Sequence, residues 1–252
     1  MVVFTILSVI GAAAAVILKE RANQLHVSCG VLFSAGALIA GAFDMLQEAN
    51  EQFEYQNIEF QWALTIAGGA VVALSCFEVS MRRFIGHRKI THGFISDEDN
   101  PFTAILLSIA LSVHSIIEGM GIGASQDVSD LESAFIAMAC HKMFVAFALT
   151  NGLVSCGYWR KGKRKYFYAG IGTFIFVCVF GTGTGMAIAS TGNLIATAVL
   201  TAITGGSFIY AAILEVLPEQ TKIIDEQKLA ILPLVSIFLL GYCLMSLFAV
   251  WT

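Results

Sequence analysis

Charge is scarce in this chain. Asp, Glu, Lys and Arg together supply 13% of its 252 residues, about half the roughly 25% that a soluble domain carries. That shortage excludes a soluble globular fold. Paired thiols are missing as well. The six cysteines (Cys29, Cys76, Cys140, Cys156, Cys178, Cys243) fall in or beside apolar stretches and form no CxxC pair, so neither a disulfide framework nor a thiolate zinc site is indicated. They read as small core residues. There is no Walker motif or other nucleotide loop, and no HExxH helix. No internal repeat or low-complexity stretch stands out.

What fills the space is hydrocarbon: 57% of the residues are hydrophobic and the mean hydropathy is +0.79. A bilayer-spanning helix needs about 20 mostly apolar residues. Eight such runs occur, near 2–18, 27–47, 62–84, 102–124, 133–155, 166–189, 195–217 and 230–251. The sequence predicts an all-α, eight-helix polytopic membrane bundle, one domain over residues 1–252. The first run sits at the short end for a span. It lacks the charged start of a signal peptide, although "GAAAAVILKE" offers small residues, so it reads as a retained first helix, and a longer natural chain is compatible with that reading.

Basic residues are also absent from particular places. Of the 14 Lys and Arg, 13 lie in segments 19–21, 82–89, 160–165 and 222–228, the connections after runs one, three, five and seven. The connections after runs two, four and six have none and hold Glu51, Glu54, Glu59, Asp127, Asp130 and Glu132 instead. Lys and Arg near span ends stay on the cytoplasmic side, which puts both termini on the extracytoplasmic side, outside the cell or in an organelle lumen. The longest cytoplasmic loop, 85–100, carries His87, Arg88, His92 and the run Asp97-Glu98-Asp99. These could hold a metal weakly, but a solvated hinge is the simpler reading. Pro101 suits the first turn of the fourth helix.

Ionisable residues inside the apolar runs are costly and usually functional. They are Asp44 and Glu48 at the end of helix two, Glu78 in helix three, His114 and Glu118 in helix four, His141 and Lys142 in helix five, and Glu215 with Glu219 at the end of helix seven. His114 and Glu118 are one turn apart and project from one face, with Ser115 beside them. An imidazole and a carboxylate suit zinc and related divalent ions. Without a metal, the same pair would make an interhelical hydrogen bond or ion pair, a reading that His141 in the next helix weakens. Gly119, Gly121 and Gly123 in helix four, and Gly181, Gly183 and Gly185 in helix six, read as close-packing positions.

"HSIIEG" (114–119), "HKMFVAFAL" (141–149) and "GGSFIYAAILEVLPE" (205–219) resemble helices four, five and seven of the ZIP (Zrt/Irt-like) metal-ion transporters, in the branch with HSxxEG followed by HK. "GALIAGAFDMLQEANE" (36–51) is similar to that family's second helix, with Gln47 where a proline is usual, and "CFEVSMRR" (76–83) to its third. The resemblance covers nearly the whole chain. It implies a transport site made by His114, Glu118 and His141, with Ser115 beside it. It also implies that Asp44, Glu48, Glu78, Lys142, Glu215 and Glu219 serve the metal pathway or a linked proton. Lys142, Val145 and Phe180 stand where a second metal would need carboxylates, so one ion is expected.

The resemblance thus implies uptake of Zn²⁺ into the cytosol by alternating access without ATP. Fe²⁺, Mn²⁺ and Cd²⁺ remain open, because imidazole and carboxylate accept them too. Zinc is cargo here, not a cofactor. The expected surroundings are a lipid bilayer, first the plasma membrane and otherwise an organelle membrane. A homodimer is compatible with this, and nucleic acid is not expected as a partner. Two rival classes stand beside transport: a membrane metallohydrolase, which would use the same donors to polarise water, and a non-transporting scaffold or receptor.

Overall fold

The computed structural model describes residues 2–18, 24–58, 60–85, 101–125, 128–155, 158–159, 163–218, 220–221, 224 and 231–251. Every regular element among them is helical: α1 (Val2–Leu18), α2 (Gln24–Tyr55), α3 (Trp62–Ile85), α4 (Pro101–Ala124), α5 (Val128–Ser155), α6 (Arg164–Ala189), α7 (Leu194–Ile209) and α8 (Ile231–Trp251). Each expected apolar run falls mainly on one of these helices, the seventh continuing beyond α7. Among the described residues, Ser28–Tyr55, Trp62–Ser80, Arg164–Ala189 and Leu194–Val216 are long and apolar enough to cross a membrane. The chain is an all-α polytopic membrane protein. Residues 86–100, which include His87 and His92, and Glu219 lie outside the described residues.

Two helices depart from the hydropathy reading. α2 continues to Tyr55, well past the apolar end at residue 47. Its extension "QEANEQFEY" is polar but is laced by side-chain bonds one turn apart: Gln47 donates to Glu51 at 3.0 Å, Asn50 to Glu54 at 3.2 Å, and Gln52 to Glu48 at 2.9 Å. Such i,i+4 pairs support a helix in water, so hydropathy marks where the apolar stretch ends and not where the helix ends. α7, read as one regular helix, passes without a break into a π-helical segment, Tyr210–Val216. The wider i→i+5 turn leaves no mark on hydropathy.

The bundle is built by bringing small residues together. α4 lies along α6, and a Cβ added at Gly119, Gly123, Gly181 or Gly185 would run into the facing backbone. The two GxxxG pairs form a seam in which helix backbones touch directly, the close approach that lipid-embedded packing rewards. α1 packs on α5, α2 on α7 and α8, and α3 on α7. Gly36, Gly206 and Gly241 make similar close passages against Phe238, Ala67 and Phe33. Thr204 on α7 ties α4 in place, its hydroxyl lying 3.1 Å from the Ile117 carbonyl and 2.9 Å from its own helix's Leu200 carbonyl. Large apolar side chains face outward, with Val72, Phe176 and Leu232 all well over half exposed.

Gly181 and Gly183 make a matched test, since nothing lies within 4 Å of a Cβ built on Gly183. Gly181→Ala should destabilise the detergent-solubilised protein by about 1–3 kcal/mol, as overpacking does. Gly183→Ala should stay within about 0.5 kcal/mol. Thermal melts of the two purified variants compare them directly.

A candidate metal centre between α4, α5 and α6

The centre starts from helix periodicity. On α4, His114, Ser115 and Glu118 fall on one face, and α5 crosses that face with the adjacent pair His141-Lys142. None of the five is more than 3% exposed, so water is excluded and charge interactions are strong. Glu118 organises the group by using its two oxygens differently. Oε2 accepts from the Lys142 ammonium at 2.9 Å. Oε1 faces His114 Nε2 at 3.0 Å and His141 Nε2 at 3.6 Å. The two imidazole rings stand edge to face, with centroids 5.7 Å apart.

Lys142 is held on three sides. It donates to Glu118 and to the Ser115 hydroxyl, and its ammonium lies 4.6 Å from the centre of the Phe174 ring on α6, within cation–π range. A buried charge survives only when paired and hydrogen-bonded, and Lys142 and Glu118 meet that condition in each other. With neutral imidazoles the group carries no net charge.

The other face of the group is unsatisfied. Both nitrogens of His114, both nitrogens of His141 and Oε1 of Glu118 are buried without a hydrogen bond among the described residues. The close approaches to Oε1 lack hydrogen-bond geometry. More than nine in ten buried polar groups find partners in native proteins, so five orphans in one place are unusual. They converge: one donor atom from each of His114, Glu118 and His141 lies within 4.8 Å of the others, the one such cluster among the described residues. Donors that each sit 2.0–2.2 Å from a zinc ion can be up to about 4 Å apart. The two nitrogen–oxygen separations fall inside that limit.

The other residues singled out in the sequence lie elsewhere. Ser115, expected beside the metal, has its hydroxyl engaged by Lys142. Asp44, Glu48, Glu78 and Glu215 stay outside the cluster. Glu48 accepts from Gln52, and Glu78 accepts from the Tyr210 hydroxyl. Glu215 is half-buried on the π segment. Phe180 needs correcting. It is 58% exposed and stacks on Phe176, so it does not face the centre. The α6 residues that do are Phe174 and Cys178, one turn apart. Cys178 is buried where α6 passes Gly119 of α4, a neighbour the sequence reading missed.

The pairing makes a stability prediction. Lys142→Met strands the Glu118 carboxylate in the interior, and breaking a buried pair from one side costs about 3–5 kcal/mol. Adding Glu118→Gln should recover most of that loss. Melting curves of the two single variants and the double variant decide it; an additive loss would contradict the pairing.

Comparison with known proteins identifies the family. The ZIP zinc transporter family model matches residues 91–249. Among individual relatives, zinc transporter ZIP1 of Takifugu rubripes is 30% identical over 58% of this chain and 47% of its own length. Human zinc transporter ZIP2 is 28% identical over 64% of this chain and 51% of its own. Protein zntD of Dictyostelium discoideum is 26% identical over 62% of this chain and 23% of its own. The chain therefore spans about half, or less, of the length of these relatives. With the family model covering more than half of the chain, including all three clustered donors, this protein belongs to the ZIP zinc transporter family.

Proposed function

We propose that this chain carries divalent metal ions across its membrane, with zinc as the principal cargo, from the extracytoplasmic side into the cytosol and without ATP. The observation that carries the proposal is the set of orphaned donors. His114, His141 and Oε1 of Glu118 are buried, unpartnered and convergent, inside a helical bundle of the ZIP family. They are the assigned ligands.

Lys142 and Ser115 back the carboxylate from behind. The ammonium cancels the charge of Glu118, which limits how tightly a cation is held. A transporter needs that, because its cargo must leave as readily as it enters. The same ammonium disfavours a second cation beside the first, so one ion is expected at the site. Selectivity for zinc over Fe²⁺, Mn²⁺ or Cd²⁺ is the finer part of the proposal, and competition during uptake measures it.

The arrangement of the ends supports the proposed orientation of eight spans with both termini extracytoplasmic. Tyr55, Phe60 and Trp62 are exposed at the α2–α3 connection, next to the acidic end of α2. At the start of α6, Arg164 lies over Trp159 at 4.9 Å and Lys165 over Tyr166 at 5.0 Å. Aromatic side chains favour both membrane interfaces, while basic ones favour the cytoplasmic side. We assign residues 1–252 to one transport domain in the plasma membrane, with an organelle membrane and a homodimer as alternatives to test.

Uptake of radioactive zinc into proteoliposomes tests the assignment. His114→Ala and His141→Ala should each reduce uptake at least about tenfold, since even partners that only support a ligand cost 10–100-fold. Normal uptake in either variant would remove that histidine from the site.

A further inference from the structure

An ammonium group has three protons to donate and no acceptor, so the neighbours of Lys142 can be matched to them. Two protons go to oxygens, Oε2 of Glu118 at 2.9 Å and the Ser115 hydroxyl. Over the ammonium lies the Phe174 ring, its centre 4.6 Å from Nζ. Cys178, one turn further along α6 and buried, offers only a thiol, a weak acceptor. A far stronger acceptor is close at hand. Oε1 belongs to the same carboxylate as Oε2 and is buried with no hydrogen bond among the described residues. Leaving a charged acceptor unsatisfied in a dry interior is costly, and an ammonium already bonded to the other oxygen would relieve that cost by sliding across.

The ring supplies the reason that it does not. Phe174 is 1% exposed and belongs to a buried apolar cluster with Leu111 of α4 and Ala146 and Leu149 of α5, so close packing keeps it in place. The face of an aromatic ring is the negative part of its quadrupole, and it attracts a cation most strongly where water is excluded. Together with the Ser115 hydroxyl, it gives the ammonium three partners without Oε1. A leucine at 174 would fill much of the same space and attract nothing. The proton released would find Oε1 as its best acceptor, and the chain's own cation would then occupy the oxygen that an incoming ion needs.

We infer that Phe174 is a positioning residue: its ring holds the Lys142 ammonium on Oε2 of Glu118 and so keeps Oε1 open to the transported ion. This rests on the reading of His114, Glu118 and His141 as the metal site. An ammonium released from the ring acts as an internal competitor. Competition weakens binding and leaves the rate at saturation intact, so its mark is a raised KM with the maximal rate kept.

Zinc uptake in proteoliposomes tests this. Phe174→Leu should raise KM for zinc about five- to thirtyfold, the range that a desolvated cation–π contact commands, with the maximal rate nearly kept. Phenylalanines carrying one, two and three ring fluorines at position 174 isolate the electrostatics, because they keep the ring and weaken its negative face. KM should climb with each added fluorine. In a Lys142→Met background the climb should vanish. The fluorine series decides the matter even if Phe174→Leu fails to fold: a KM that stays flat across it would overturn the inference, since packing alone would then explain the ring. The same climb without Lys142 would overturn it as well, because the ring would be acting on something other than the ammonium. His114→Ala, run alongside, separates the two levels. If it leaves uptake normal, the site reading falls and the inference with it; if it abolishes uptake while the fluorine series stays flat, only the role of the ring falls.

Discussion

Glu118 faces two demands that a single carboxylate can meet only because it has two oxygens. One is committed to the Lys142 ammonium and the other is turned toward two imidazoles. Neither charge could sit in the bundle interior alone, since each unpaired ion would cost several kcal/mol. The pair fixes the register of α4 against α5, and it aims the unpartnered oxygen and histidine nitrogens at one point. α6 joins the arrangement because the glycine seam lets it approach α4 closely enough for the Phe174 ring to face the ammonium. The packing of small residues and the electrostatics of the centre are therefore one design: loosening the seam would take away one wall of the cage around Lys142.

Much of this was legible in the residues. The donors were visible because His114 and Glu118 share a helix face and His141 falls in the next apolar run. Lys142 was visible as a buried charge, though not as the partner of both Ser115 and Glu118, because contacts between helices are not written in the spacing within one helix. The error over Phe180 was one of phase. Gly181 and Gly185 mark the face of α6 that meets α4, and Phe174 and Cys178 lie seven residues before them. Two helical turns return to nearly the same face, so the glycines already pointed to Phe174 and Cys178.

Two other features were hidden for different reasons. The extension of α2 to Tyr55 depends on side-chain pairs in water, which a hydropathy scan reads as the end of a span. The π turn at Tyr210–Val216 depends on what the segment packs against. Its local sequence, rich in alanine and large apolar residues, would serve an ordinary α-helix equally well. Both show where the hydrophobic pattern stops informing: it tells which surfaces avoid water, and leaves backbone winding to tertiary contacts.

The inversion of size between inside and outside has a consequence for how this protein can vary. In a water-soluble core, damage comes mainly from shrinking large side chains, which opens cavities. Here the interior seams are already built from the smallest residue, so they can change only by growing, and growth pushes helices apart. The outer surface is bulky and exposed, so aliphatic and aromatic residues can replace one another there with little effect. Sequence drift in such a chain should gather on its outward-facing residues and be nearly silent along the lines where backbones meet. A substitution map of the whole chain would then outline the helix contacts as strips that reject added volume, even where no residue has any chemistry to perform.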